Sequence, residues 1–144
     1  MVARVKIDIS APPATVFAVL RDPQKRKGWM AGLMETRQTS GREGAVNSTF
    51  VDTVSGREFN GTVLANSFPT RFSMQMESPQ ISVVYHWELT QQPPGTRLVF
   101  TNKTTTRRFV LRLLSPLTNS FIRRIMKRQA QRIKMMAESR DRSR

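Results

Sequence analysis

The feature that most constrains the fold is a run of short strand-like segments from Leu33 to Thr106, separated by regular turn signals. Alternation of apolar and polar residues is clear in the segments starting at Arg71 and at Ile81. It is weak in the second and third strands, so which of their faces is buried stays open. Six strands separated in this way predict one antiparallel meander. The turn signals are, in order, GREG, Gly56-Arg57, Phe68-Pro69, Ser78-Pro79 and QQPPG.

Before the meander, the chain makes a corner. Alternation from Val5 to Ile9 predicts a half-buried first strand. Ser10 is placed to cap a short helix with proline in its first turn. Asp22-Pro23 repeats this device for a second short helix, which Gly28 ends. The first helix has one apolar stripe, formed by Pro13, Val16, Phe17 and Leu20.

The C-terminal part of the chain is predicted to be helical from about Arg108. Ser115-Pro116 is either a kink in this region or the cap and first turn of the main helix. Residues 1–140 are predicted to form one domain, and residues 141–144 a disordered basic tail. The main helix is amphipathic, with an apolar stripe formed by Leu117, Phe121, Ile125 and Met136 that broadens to Ile122, Gln129 and Ile133.

Composition narrows the classes of protein to which this chain can belong. Its 144 residues and 38% hydrophobic content suit one globular domain. With no cysteine and one histidine, neither a disulfide framework nor a metal site is expected, and no cofactor is predicted. The chain has no apolar run long enough to span a membrane and no apolar block near its start. A cytoplasmic location is therefore predicted.

Segments across nearly the whole chain resemble the SRPBCC or START-like superfamily, also called Bet v1-like or helix-grip proteins. The likeness is strongest to its bacterial polyketide cyclase/dehydrase and lipid-transport branch. It implies an α+β helix-grip fold, in which a seven-stranded curved antiparallel sheet wraps around a long C-terminal helix. Two short helices would follow the first strand and close one end of a cavity. The segments that carry the resemblance are VKIDISAPPATVFAVLRDPQKRKGW, GREG, PPGTRLVF and RQAQRIKMMAES.

The resemblance implies a protein that binds or carries a hydrophobic or amphipathic small molecule, such as a lipid or a polyketide-like compound. A curved sheet that holds one helix leaves an apolar hollow, and aromatic and methionine side chains suit such ligands. The same side chains could equally be ordinary core residues. Trp29 is expected near the mouth of the hollow. The other candidate lining residues are Phe50, Phe59, Phe72, Met74, Tyr85, Trp87, Phe100, Asn102, Phe121 and Ile125.

An enzyme of the cyclase/dehydrase type is the alternative, and it needs an acid or a base beside the hollow. The candidates are Tyr85, Asp52 and Glu35, with His86 and Asn102 as further options. His86 lies between Tyr85 and Trp87, so it faces outward if they face inward. Asp52 is interpreted as a solvated carboxylate near the end of a strand. Because the sequence lacks a catalytic triad order, a metal cluster and a phosphate loop, it favours binding over catalysis.

The net charge of +14 is concentrated at the C-terminus, where residues 107–144 contain 12 basic and 2 acidic side chains. A cationic helix attracts anionic surfaces, so a second alternative is docking on an anionic membrane. Sequence-specific nucleic-acid binding is not expected, because the helical region offers only Phe109 and Phe121 for base stacking, and both are predicted to lie on its apolar stripe. The oligomeric state is left open. The residues expected to contact the anionic surface are Arg123, Arg124, Lys127, Arg128 and Lys134.

Overall fold

The computed structural model describes residues 2–106 and 115–142, which form one seven-stranded sheet and three helices. This architecture confirms the predicted α+β helix-grip fold. The helical prediction for residues 108–114 lies outside the described residues. The helices are α1 (Pro13–Arg21), α2 (Pro23–Trp29) and α3 (Ser115–Arg142). The strands are β1 (Val2–Ile9), β2 (Leu33–Ser40), β3 (Thr49–Val54), β4 (Arg57–Ser67), β5 (Arg71–Glu77), β6 (Ile81–Gln92) and β7 (Gly95–Thr106).

The sheet has the order β1-β7-β6-β5-β4-β3-β2, and every neighbouring pair is antiparallel. The predicted meander therefore runs from β2 to β7, and β1 pairs with β7. The corner formed by α1 and α2 carries the chain from one edge of the sheet to the other. The buried faces of the early strands are now defined, because Phe50 and Asp52 of β3 point inward. In β2, at the sheet edge, only Leu33 is buried.

Curvature of the sheet depends on a glycine and on irregular pairing. Gly61 of β4 pairs with Phe50 of β3. A Cβ atom at Gly61 would lie 2.1 Å from the ring of Phe50, so the ring occupies the place of a side chain. The pairing of β4 with β5 also shifts between Val63 and Ala65. Such bulges increase the local twist and bend a strand.

The corner differs in two details from its prediction. Pro13 and Pro23 begin the two helices as expected, and Asp22 caps α2 by accepting a hydrogen bond of 2.9 Å from the amide of Gln24. The prediction that Ser10 caps α1 is wrong, because the capping position is Pro12, which offers no side-chain acceptor.

The prediction that Gly28 ends α2 is also wrong, because this helix continues to Trp29. A Cβ atom at Gly28 would approach Met136 to 3.1 Å. Glycine therefore serves close packing between α2 and α3 at this position, and it does not serve as a helix terminator.

Helix α3 is described from Ser115 onward, and the residues that would distinguish a kink at Ser115-Pro116 from a helix start lie outside the described residues. It packs against β1, α1 and α2. The buried side of α3 is centred on Met126, Ala130, Ile133 and Ala137. The predicted stripe missed the two alanines, which let the helix approach its neighbours closely.

Because Ala130 and Ala137 lie on the buried side of α3, Phe121 lies on another side of the helix, and its side chain is 62% exposed. Leu117 lies where no side chain is described. No helix in the described part of the chain combines the length and apolar character needed to cross a membrane.

Two hydrogen bonds join α3 to the end of β1 and to the residue that follows it. The backbone amide of Ser10 donates to Glu138 Oε2 at 2.9 Å. Lys134 Nζ donates to the carbonyl oxygen of Asp8 at 2.8 Å and forms an ion pair of 2.8 Å with Glu138 Oε2. These contacts give Lys134 and Glu138 of the RQAQRIKMMAES ending a structural role. Lys134 is therefore engaged within the protein, and whether it also contacts an anionic surface stays a prediction.

Candidate functional site

One part of the interior is filled by stacked aromatic rings. The ring of Trp87 lies 5.0 Å from Phe100, 5.8 Å from Tyr85 and 5.9 Å from Phe72, centroid to centroid, in nearly parallel arrangements. Trp29 meets Trp87 edge-on at 5.6 Å. Aromatic pairs at these distances contribute about 0.5–1.5 kcal/mol each beyond their buried area. This part of the interior is therefore a packed core.

Most of the predicted lining residues lie in this core. Trp29, Phe72, Met74, Trp87 and Phe100 are fully buried. Trp29 is not at a mouth, because its indole Nε1 donates to the carbonyl oxygen of Val19 at 3.0 Å inside the protein. Alternation identified these side chains as inward-facing, but it could not show that they fill the interior.

The remaining predicted lining residues have other surroundings. Phe50 is buried and covers Gly61. Phe59 is half-buried and packs against the core. Phe121 is exposed, so the structure does not place it in the interior.

A cavity of about 160 Å³ lies beside this core, between α3 and strands β6 and β7. Three of the predicted lining residues, Tyr85, Asn102 and Ile125, line it. Whether they contact a ligand stays a prediction. The lining residues that the sequence analysis did not identify are Ile81, Val83, Thr104, Ile122, Met126 and Gln129.

Polar groups converge on the otherwise apolar cavity. Asn102 and Thr104 occupy inward positions of β7 after Phe100, and Thr104 Oγ1 donates to Asn102 Oδ1 at 2.7 Å. Gln129 Oε1 is buried and has no hydrogen-bond partner among the described residues. A buried acceptor left unpaired costs about 1–3 kcal/mol. The available signal was the presence of polar residues at positions where strand and helix periodicity require apolar ones.

A buried ion pair that was not predicted from the sequence lies close enough to Tyr85 to influence its pKa. Arg26 Nη2 lies 3.0 Å from Asp52 Oδ1 and 3.0 Å from Oδ2, and Arg26 Nε lies 3.2 Å from Oδ2. Asp52 is 0% exposed and Arg26 is 2% exposed. The guanidinium also donates to Thr36 Oγ1 at 3.1 Å and lies 4.7 Å from the ring centroid of Phe50.

The interpretation of Asp52 as a solvated carboxylate is therefore wrong. Asp52 shares the inward parity of Phe50, which was the signal for its burial. Arg26 lies in the polar run QKRK, and the charged residues of such a run are expected to face solvent. Because α2 packs against the sheet near β2, it brings this one arginine inside.

The environment of Tyr85 decides what its hydroxyl group can do. The pKa of Tyr85 is raised to about 12, mainly by burial and in smaller part by the Asp52 carboxylate, while the Arg26 guanidinium opposes both effects. The phenol is therefore neutral near pH 7, where it can donate and accept hydrogen bonds.

The other candidate acids and bases lie away from the cavity. Glu35 is exposed on the edge strand β2. His86 contacts Ser73 Oγ and Glu88 Oε1, with 3.1 Å to the latter, on the face opposite Tyr85 and Trp87. This confirms its predicted outward orientation. In residues 2–106 and 115–142, no three His, Asp or Glu side chains come close enough together to hold a metal ion.

A family model described as "Polyketide cyclase / dehydrase and lipid transport" matches residues 2–138. The chain belongs to this family. The family lies within the SRPBCC superfamily, so the resemblance found in the sequence is confirmed. Among proteins with curated descriptions, none matches this sequence significantly.

Solved structures with the same fold come from several bacteria. A protein from Mesorhizobium loti has a TM-score of 0.76 and 18% identity, with 96% of this chain and 98% of that chain covered. A protein from Thermus thermophilus has a TM-score of 0.76 and 14% identity, with the same coverage. A Bacillus halodurans protein solved in solution has a TM-score of 0.75 and 14% identity, covering 96% and 97%. At these identities the likeness concerns the fold.

Proposed function

We propose that this protein binds and carries a small amphipathic molecule in the cavity between α3 and strands β6 and β7. The observation that carries the proposal is the unpartnered Gln129 Oε1, buried in the wall of a largely apolar cavity. A ligand that donates a hydrogen bond to this oxygen recovers the cost of burying it. The family description, which includes lipid transport, supports the same class of function.

The lining defines the chemistry of the ligand. Ile122, Ile125 and Met126 offer an apolar wall from α3, which suits a hydrocarbon or aromatic body. Gln129 accepts a hydrogen bond, while the neutral hydroxyl group of Tyr85 can donate one. The ligand therefore combines an apolar body with a hydroxyl or hydroxy-keto group, as hydroxylated lipids and polyketide-like molecules do.

The size of the cavity sets a limit on what it can hold. Its volume of about 160 Å³ is below the roughly 300–1,000 Å³ of sites that enclose a drug-sized ligand. The cavity thus accommodates the polar end of an amphipathic molecule, or a compound of only a few carbon atoms. A longer chain needs Ile122 and Ile125, which are both half-buried, to move outward.

Carriage is favoured over acid–base catalysis by the ionisable groups of the described part of the chain. Among the described residues that line the cavity, Tyr85 is the only ionisable one, and a pKa of about 12 makes it a poor base near neutral pH. Both carboxylate oxygens of Asp52 already accept hydrogen bonds from Arg26 in the ion pair. A cytoplasmic location stays part of this proposal.

The first test is native mass spectrometry of the freshly purified full chain, followed by extraction and identification of any bound compound. The second test is thermal unfolding with a panel of hydroxylated fatty acids, sterols and aromatic polyketides. A ligand present at 100 times its Kd stabilises the folded state by about 2.7 kcal/mol. A protein without bound mass that no panel compound stabilises would contradict the proposal.

Matched variants of α3 test the contact itself. Gln129→Leu removes the buried acceptor, whereas Gln131→Leu changes an exposed glutamine on the same helix. We expect Gln129→Leu to weaken binding of a hydroxylated ligand at least about tenfold. This factor corresponds to the loss of one hydrogen bond of about 1.4 kcal/mol. Gln131→Leu should bind like the wild type. Equal affinities for both variants would refute the role of Gln129.

A further inference from the structure

The side of α3 that points away from the sheet carries two large apolar residues with arginines between them. Phe121 is 62% exposed and Met135 is 66% exposed, while Arg124, Arg128 and Arg132 are exposed between them. These five residues, the outer face of α3, recur every three or four positions and therefore share one side of the helix. The helix rises about 21 Å from Phe121 to Met135, which is the length of this face.

The charge of this region is of one sign. Residues 115–137 contain no Asp or Glu. Lys127 is exposed beside the outer face, whereas Arg123 is exposed on the side of α3 towards Val2 and Ala3 of β1. Among the residues that the structure describes, none pairs with the charged groups of Arg124, Arg128 or Arg132. Lys134 contrasts with them, because its charge is used within the protein by Glu138.

An apolar groove adjoins the outer face at its C-terminal end. It has a volume of about 420 Å³ and is lined by Val19, Met135 and Met136, with Lys25 and Ser139. The groove extends the apolar area around Met135 into the junction of α1, α2 and α3. Lys25 places a cation at its edge, although this lysine also pairs with Asp22 at 3.8 Å.

The geometry points to the outer face of α3 as a docking surface for the anionic surface of a lipid bilayer. Exposed apolar side chains at both ends can enter the boundary between headgroups and acyl chains, as in interfacial amphipathic helices. The arginines between them would reach lipid phosphates while their stems cover apolar surface. This proposal goes beyond ligand carriage, and it does not require an occupied cavity.

Nucleic acid is the other polyanion that this charge could attract, and the apolar residues argue against it. Non-specific binding of single strands uses several aromatic platforms along a basic groove. The outer face has one aromatic ring and a methionine about 21 Å apart. Burial of exposed apolar side chains in a bilayer is favourable, whereas contact of the same side chains with nucleic-acid phosphates is not.

The test is co-sedimentation of the full chain with vesicles of phosphatidylglycerol and phosphatidylcholine, and with vesicles of phosphatidylcholine alone. We expect binding only to the anionic vesicles, and weaker binding as salt rises from about 0.1 M to about 0.5 M. Arg124→Glu combined with Arg128→Glu should lower the affinity at least about thirtyfold, because each cation near a membrane surface contributes substantially. Phe121→Ser should lower it several-fold at both salt concentrations.

The matched control is Arg37→Glu combined with Arg57→Glu, which makes the same change in net charge at exposed positions of β2 and β4. We expect this control to lose no more than about threefold, through long-range repulsion alone. Equal losses in the two double variants would overturn the proposal, because net charge and not one face would then determine binding. Retention on duplex DNA without binding to anionic vesicles would overturn it as well.

Discussion

Replacing Arg26 with methionine tests the buried ion pair most directly. The substitution keeps an unbranched apolar stem but leaves Asp52, which is 0% exposed, without a cation. Removing one partner of a buried pair costs about 3–5 kcal/mol, because the remaining charge has neither water nor a counterion. The loss of the cation–π contact with Phe50 is partly offset by a contact between sulfur and the ring. We therefore expect the free energy of unfolding to fall by about 3–5 kcal/mol.

The double variant Arg26→Met with Asp52→Leu removes both charges, so it distinguishes loss of the ion pair from burial of one unpaired charge. With both charges gone, the site becomes an apolar contact between α2 and β3, and such replacements are often neutral or stabilising. We expect the double variant to lie within about 1.5 kcal/mol of the wild type. The two single substitutions should then show a coupling energy of at least about 2 kcal/mol.

Urea unfolding monitored by tryptophan fluorescence measures these values, because Trp29 and Trp87 are both fully buried. The control is the exposed pair of Arg97 and Asp8, with 3.0 Å between Arg97 Nε and Asp8 Oδ1. Arg97→Met should cost less than about 1 kcal/mol. If Arg26→Met costs no more than Arg97→Met, burial does not amplify the loss of a counterion at this site.

Two further predictions concern the sheet. Tyr85 is the only tyrosine in the chain, so ultraviolet absorbance of its phenolate should give a midpoint near 12 in the folded protein, against about 10 in urea. Because the folded pKa is the higher one, Tyr85 stabilises the fold fully below pH 10 and loses this effect towards pH 12; ionisation near 10 with an intact near-ultraviolet circular dichroism spectrum would contradict this. Gly61→Ala should lower stability by about 1–3 kcal/mol in urea unfolding, because its Cβ atom would overlap the ring of Phe50. Thr62→Ala at the next, half-buried position is the control, and an equal small effect in both variants would show that Phe50 moves without cost.

The fold could be predicted because its signals are local. Turn residues separated the strands, alternation in β5 and β6 identified their inward faces, and prolines marked the starts of α1 and α2. The resemblance to a family supplied what local signals cannot provide, namely that the first strand and the meander form one seven-stranded sheet, whereas the pairing of β1 with β7 came from the structure. The orientation of α3 was predicted only in part, because Ala130 and Ala137 carry little hydrophobicity and yet define its buried side.

The candidate site was harder to predict, since its chemistry depends on which inward positions are filled. Alternation placed Trp87 and Tyr85 on one face, but only packing shows that Trp87 stacks in the core while Tyr85 borders a cavity. The pairing of Arg26 with Asp52 joins a helix to a strand 26 residues away. No pattern within either segment indicates such a contact. Gln129 stood in the predicted apolar stripe, and its polarity there was a sign of the site, as was the polarity of Asn102 and Thr104 in β7.

The contact between Tyr85 and Trp87 gives the protein an optical property. Their rings are almost parallel, with an interplanar angle of 7°, and Trp87 also touches the chain's one other tryptophan, Trp29. At such separations, light energy absorbed by the tyrosine passes efficiently to the indoles, and the two indoles couple excitonically. Since Tyr85 also lines the cavity, a molecule that shifts its ring alters this energy transfer. The emission of the unlabelled protein can therefore report, in real time, when the cavity is filled.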